Sequence, residues 1–358
     1  MLFSFTHFPE DLHLNPCLNN SAKREERDKY EKCCITHILE SACVDELDVK
    51  ILRALISERA VAPSNPKVKS SLRAIAARLG ADHMTVSYRY KKLEESGFMS
   101  VWSLLVNPAF FGYRVSEAML DVQPESGKPD MIRKLRLVQE ITGMVNFYGG
   151  ALRIFFIYNG DESRSRTIEL ISRITNAEGI IQSRMALPRS ETKHLTGTDV
   201  AIIRSLSKNA RKSPTLVARE IGFSSKTVRK RVERLRMENT IFPFPIVNIG
   251  SIGGLIPVQL SYTYTNNGAK ASVDREILLH YDQIYLAGSF SDSDTGQVML
   301  SAPTMADVQK ILEWAKSQPG IASVRVDIAT ETLMFPEKLV ELLEMRNEKT
   351  PLQKNAFQ

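Results

Sequence analysis

Residues 224–235 read SSKTVRKRVERL and follow the turn Ile221-Gly222-Phe223. On a helix of 3.6 residues per turn, Val228, Val232 and Leu235 fall on one narrow apolar face, and Lys226, Lys230 and Arg234 point the other way. Such a helix can seat one side in a core and turn the other toward phosphates. Just upstream, residues 215–221 (TLVAREI) predict a second short helix with Leu216, Val217 and Ile221 facing inward, ended by Gly222, which tolerates the left-handed conformation. Two short helices meeting at a glycine turn, the second cationic at its start, predict a helix-turn-helix with its recognition helix in the major groove of DNA. Charge alone does not establish this, because basic amphipathic helices are common as plain solvated faces.

The unit occurs twice. Residues 79–93 (LGADHMTVSYRYKKL) align without a gap on residues 221–235 (IGFSSKTVRKRVERL), 142 positions later. A charge run would not preserve the glycine, the Thr-Val pair and the inward positions together. Ahead of the first copy, Leu47, Ile51, Leu52 and Leu55 have helical spacing and Asp45 is placed to cap the helix. The counterpart is residues 198–206, at an offset of 151, so the first copy carries nine extra residues. These fall in residues 59–70, where Pro63, Asn65 and Pro66 mark an exposed loop. After each recognition helix a strand pair is expected as the wing, at Phe98–Val106 and Ile241–Ile249.

The segments that follow also repeat. Tyr113–Val122 alternates as a strand, Met131–Ile141 has helical period, Val145–Tyr148 and Leu152–Tyr158 form a hairpin across Gly149-Gly150, Glu162–Thr175 is helical and Ile180–Leu187 is a strand. Pro257–Tyr264, Val273–His280, Ile284–Ser289, Gln297–Ser301, Met305–Lys316 and Ile321–Ala329 repeat this βαββαβ order, the ferredoxin-like split unit. The fold class expected is therefore α+β, with two winged helix-turn-helix domains (44–108 and 191–250) alternating with two ferredoxin-like domains (109–190 and 251–335). An N-terminal extension (1–43) and a short helical C-terminal tail (336–358) complete the chain.

With 43% apolar and 25% charged residues, 358 residues suffice for several real cores. No apolar run approaches the length of a membrane span and no signal peptide is evident, so a cytoplasmic location is expected. The net charge of +6 is mild, but residues 193–240 concentrate Lys and Arg against only Asp199, Glu220, Glu233 and Glu238. That local field suits a polyanion. Cys17, Cys33, Cys34 and Cys43 crowd the N-terminal extension with His7, His13 and His37, yet the spacing matches no zinc pattern, and neither metal nor cofactor is expected. No nucleophile with its base, phosphate loop or nucleotide fingerprint stands out, so an enzyme is not expected.

With both halves laid out, the chain resembles the Lrp/AsnC (feast/famine) family of transcription regulators, present twice in one polypeptide. The second copy carries the family's string at Asp199, Ile203, Leu206, residues 209–213 (NARKS), residues 216–218 (LVA), residues 221–224 (IGFS), Thr227-Val228, Arg231-Val232 and Leu235. The first copy is looser, with Leu47-Asp48, Ile51-Leu52, Ile75-Ala76, Leu79-Gly80, Thr85-Val86, Arg89, Leu93, Gly97-Phe98, Asn107-Pro108 and Gly112-Tyr113. The resemblance implies duplex DNA as partner, dimerisation through the ferredoxin-like domains and, in some members, an amino-acid effector. Here one chain supplies both units, as an intramolecular pseudo-dimer or within a homo-oligomer.

DNA contact is expected from Ser224, Ser225, Lys226, Thr227, Arg229, Lys230, Arg234, Arg211 and Lys212 in the second copy, and from Thr85, Ser87, Tyr88 and Arg89 in the first. The first helix presents fewer cations, so most affinity is expected from the second. For an effector, the resemblance points to the hairpin with Gly288, Asp292 and Asp294, although such a Ser/Asp/Gly run ordinarily makes a solvated turn. Two rivals share features. Siroheme decarboxylases are similar in pairing two such units, but need histidine and arginine in a hairpin where this chain has Arg153 alone. A low-specificity architectural DNA-binding protein shares the basic patch and would bind all duplexes alike.

Overall fold

The computed structural model describes residues 44–60, 71–185, 187–248, 254–281, 285–290 and 294–348. The Cys/His-bearing extension and nearly all of the loop expected at 59–70 lie outside the described residues. Three helices, α1 (Glu46–Ala60), α2 (Leu72–Leu79) and α3 (His83–Glu95), lead into strand β1 (Met99–Val106). Each start is fixed by a side chain that satisfies orphan amides: Asp45 accepts from the Leu47 and Asp48 amides at 3.0 and 3.1 Å, Ser71 from Ala74 at 3.1 Å and Asp82 from Thr85 at 3.0 Å. Gly80 ends α2 at φ 63°, as the sequence requires of a turn there.

Next come β2 (Arg114–Asp121), α4 (Lys128–Arg136), β3 (Ile141–Phe147), β4 (Ala151–Tyr158), α5 (Asp161–Thr175) and β5 (Ile181–Met185). The order then recurs with α6 (Gly197–Ser207), α7 (Pro214–Ile221), α8 (Ser225–Met237) and β6 (Ile241–Val247), followed by β7 (Ile256–Tyr264), α9 (Lys270–His280), β8 (Tyr285–Phe290), β9 (Thr295–Ala302), α10 (Met305–Ser317) and β10 (Ile321–Met334). A last helix, α11 (Glu337–Glu348), closes the described chain. Helix α4 ends at Arg136 rather than running to Ile141, because Ile141 opens β3 and is fully buried beneath the helices.

Neither wing forms as expected. Each half contributes one strand, and β1 pairs antiparallel with β6, with Trp102 opposite Pro245 and Ser103 opposite Phe244. The ribbon is shared between two cores. Met99 and Trp102 pack into the first helical unit, whereas Leu104 and Val106 pack into the second, and β6 returns Ile241 to the second and Val247 to the first. Burial of Leu104 and Val106 against the second unit's helices, and of Val247 against the first's, outweighs a local hairpin, which would leave those side chains in water.

The other eight strands form one sheet in the order β5-β2-β4-β3-β10-β7-β9-β8, with each βαββαβ segment supplying four neighbours in the same relative order. The join is β10, which runs past the expected Ala329 to Met334: its first part pairs with β7 and, after an irregularity at Ala329/Glu331, its last part pairs with β3. One face of each half is apolar and covered by helices, with Leu120, Ile154 and Phe156 under α4 and α5, and Val258, Leu260 and Val298 under α9 and α10. The opposite faces meet each other. Arg153 of β4 reaches the Gln259 side chain of β7 at 3.2 Å, and Arg325 of β10 makes two 2.7 Å hydrogen bonds to Asp121 of β2. Strands three places apart lie about 14 Å from one another in a flat sheet, so these contacts require the sheet to fold back on itself. Helix α11 is not a loose tail: Leu339, Val340 and Leu343 join the second helical core, and the buried Lys338 ammonium donates to the carbonyls of Arg136, Val138 and Ile141 at 2.6 to 2.8 Å.

Candidate nucleic-acid interface

The second helical unit is built around a buried carboxylate. Thr196 and Asp199 form a reciprocal capping box at the start of α6, and Asp199 is 0% exposed. Its oxygens also accept from Arg231 at 3.0 Å and Arg234 at 2.8 Å, which ties α8 to α6. Burial acts to raise the Asp199 pKa, but hydrogen bonds from the Thr196 hydroxyl and amide and the two guanidiniums together hold it below the ordinary carboxylate value. On the other side, Val228 and Leu235 are fully buried against α6 and α7.

This arrangement sorts the cations of α8 into two groups. Arg231 and Arg234 are held by Asp199, so the phosphate contact expected of Arg234 is replaced by an internal role. Lys226, Arg229 and Lys230 are exposed and, among the described residues, have no hydrogen bond or ion pair within the chain. Lys226 stands in the first turn of the helix and Arg229 and Lys230 in the second; the cap is made by Ser224 Oγ accepting from the Thr227 amide at 3.1 Å, with the Ser224 and Thr227 hydroxyls 2.8 Å apart. Ser225 follows as the first helical residue, half-buried. Unpaired cations next to a helix N-terminus, where amides and the macrodipole also favour anions, make an electrostatic surface for phosphates. On α7, Leu216 is 41% exposed rather than inward-facing; Val217 and Ala218 fill the core instead.

Arg211 and Lys212 do not join that surface. The Arg211 guanidinium lies over the rings of Tyr90 and Trp102, 4.6 and 4.8 Å from their centroids, donates to the Tyr90 hydroxyl and approaches Glu94 at 3.9 Å. The Tyr90 hydroxyl also accepts from Trp102 Nε1 at 2.8 Å and donates to Glu94. Burial, with the Glu94 hydrogen bond, pushes its pKa up to about 12. Arg211 therefore fastens the α6–α7 loop to the first helical unit. Lys212 pairs with Glu220 at 2.8 Å. Sequence alone placed both in the basic cluster because their acidic and aromatic partners lie elsewhere in the chain.

The first helical unit repeats the anchor. Asp48 is 1% exposed and accepts from Arg89 at 3.2 Å, while Asp45 accepts from the same nitrogen at 2.5 Å, which removes Arg89 from the outward face. Burial and the neighbouring Asp45 raise the Asp48 pKa, the opposite of Asp199. Thr85 is exposed, and Ser87 Oγ lies 3.4 Å from His83 Nε2. Tyr88 is 68% and Met84 72% exposed. Asp48 aligns with Asp199 at the offset of 151 and Arg89 with Arg231 at the offset of 142, a recurrence in the sequence that was a signal for this anchor.

In the hairpin expected to hold an effector, Gly288 lies in β8 opposite Val298, and the Asp294 carbonyl accepts from the Tyr264 amide at 2.9 Å with the residue exposed. Asp292 lies outside the described residues. In the first half, Arg153 is buried and bonded to Glu117 and Gln259, so its charge is already compensated. Among the described residues no cluster of His, Cys, Asp and Glu is arranged to hold a metal, and no helix is long and apolar enough to cross a membrane.

An AsnC-type helix-turn-helix domain matches residues 195–236, the segment organised around Asp199. No curated protein sequence matches the chain. Among solved structures, the chain is similar to the siroheme decarboxylase NirDL, at 11% identity over 84% of this chain and 99% of that one, with a TM-score of 0.48. It is also similar to AsnC of E. coli (19% identity, 42% of this chain, 97% of that chain, TM-score 0.28) and to an AsnC family transcriptional regulator from Agrobacterium tumefaciens (14%, 43%, 97%, 0.28).

Proposed function

We propose that the chain is a sequence-specific DNA-binding transcription regulator of Lrp/AsnC type, not an enzyme, in which a tandem duplication places both helix-turn-helix units in one polypeptide as a pseudo-dimer acting in the cytoplasm. The observation that carries this reading is the division of cations on α8: Arg231 and Arg234 are consumed by Asp199, while Lys226, Arg229 and Lys230 are left outward and unpaired among the described residues. A cationic face held rigid from behind at a helix N-terminus is what a duplex phosphate backbone requires. The AsnC-type match covers the same residues. Ser224, Ser225 and Thr227 sit within reach of base edges, and Arg211, Lys212 and Arg234 support the frame.

The decarboxylase reading has less support in the site. Its anion-binding cations would stand in the β3–β4 hairpin, where Arg153 is neutralised by Glu117. An amino-acid effector likewise finds no buried, unpaired carboxylate at the described part of the second hairpin. Footprinting on genomic fragments at two salt concentrations tests the proposal. Discrete protected sites that weaken steeply with salt, and vanish in Lys226→Ala with Lys230→Ala, are expected. Equal affinity for all duplexes would identify an architectural binder instead.

A further inference from the structure

The two outward helix faces differ residue for residue. Asp82 and Ser224 are both N-caps that accept from the amide three positions on, and both helices run thirteen residues. In this shared frame Met84 and Tyr88 occupy the positions of Lys226 and Lys230, with Thr85 matching Thr227. Met84 and Tyr88 are 72% and 68% exposed, one helical turn apart on the same face. Arg89 is held by Asp45 and Asp48, and Lys91 pairs with Glu95 at 3.2 Å. The face of α3 thus offers two large apolar groups and a threonine where α8 offers charge.

We infer that α3 reads thymine methyl groups in the major groove of the half-site beside the one bound by α8. This rests on the DNA-binding reading above and adds a ligand chemistry to it. The β1–β6 ribbon is symmetric about its centre, where Trp102 and Ser103 face Pro245 and Phe244 while the 142-residue offset makes Trp102 equivalent to Phe244 and Ser103 to Pro245, so the two strands that lead out of the helical units are related by a local twofold. A duplex engaged by α8 is therefore presented to α3 within the same covalent frame. Phosphates give this face little to hold, whereas the thymine C5-methyl is the apolar mark of the major groove and is recognised by apolar side chains. α8 accordingly supplies the salt-dependent attraction and reads its own half, and α3 adds a preference for A·T pairs in the other.

The test uses the full chain and a footprinted duplex in which thymines are replaced one at a time by deoxyuridine, which removes only the methyl. Replacement in the α3 half should weaken binding about fourfold per contacted methyl, the cost of re-exposing one such group to water. Replacement in the α8 half should change nothing. Tyr88→Ala and Met84→Ala should abolish the thymine preference without altering the salt slope, Tyr88→Phe should retain it, and Lys230→Ala should lower the slope and keep the preference. Equal affinity for thymine and deoxyuridine duplexes would overturn this inference alone. Loss of an oligomer in Met84→Ala with Tyr88→Ala, seen by sedimentation, would also overturn it by assigning the face to a second copy of the chain. Absence of any footprint would overturn the DNA-binding reading as well.

Discussion

Replacing the two buried aspartates by asparagine should have unequal consequences. Asp199 receives four hydrogen bonds, from the Thr196 amide and hydroxyl and from Arg231 and Arg234. Asparagine keeps one acceptor oxygen but turns an amide donor toward guanidinium donors. Losing two charge-assisted bonds costs roughly 1.5–3 kcal/mol each. Arg231 and Arg234 are 30% and 39% exposed, so water recovers part of this and the net loss should be about 3 kcal/mol. Asp48 has a single 3.2 Å arginine contact, and its Oδ1 is buried without a partner. Asp48→Asn removes an undercompensated charge, so its cost should stay within about 1 kcal/mol. The pH dependence separates them further. The lowered pKa of Asp199 gives stability that is full above the unfolded value near 4 and lost as pH falls through the folded pKa. The raised pKa of Asp48 does the reverse, favouring the fold in acid and withdrawing that support as pH rises from about 4 through the folded value. Urea denaturation followed by fluorescence of the buried Trp102 reads both effects. Equal costs, or a larger cost at Asp48, would refute the assignment of Asp199 as the anchor of α8.

Lys230→Ala should weaken all duplexes alike and reduce the salt slope by about 1, whereas Arg211→Ala should leave the slope unchanged and lower stability by about 2 kcal/mol through loss of its ring and hydroxyl contacts; salt titrations and urea denaturation distinguish the two. Gly296→Ala should destabilise by about 3 kcal/mol, because a Cβ there lies 2.3 Å from the ring of Tyr262, which is buried and hydrogen-bonded to Asp274; denaturation of the variant checks this. Amino acids should not raise the melting temperature, since Asp294 is exposed in its turn; a reproducible shift that Asp294→Ala removes would contradict this.

Much of the local structure was legible because it is set by near neighbours. The inward Val228 and Leu235, the cap at Asp45, the glycine turns at Gly80 and Gly222 and the βαββαβ order all follow from spacing over a few residues. Partners distant in sequence were not legible. Periodicity identifies Met99–Val106 and Ile241–Val247 as strands but carries no information that they pair with each other. Likewise, the last residues of β10 lack a marked alternation and become strand by pairing with β3. Counting cations placed Arg211, Lys212 and Arg234 on the DNA face; Tyr90 and Trp102, Glu220 and Asp199, respectively, take them away from it.

In the proposed function one chain carries two unequal reading helices, of which α8 supplies most of the binding. Selection from random duplexes with the full chain tests this. An asymmetric site is expected, with one strongly constrained half that is lost in Lys226→Ala with Lys230→Ala and a second half that Tyr88→Ala relaxes at modest cost in affinity. A perfect palindrome with both halves equally constrained would contradict it and point to α8 helices from two chains; no enrichment at all would remove sequence-specific DNA binding itself.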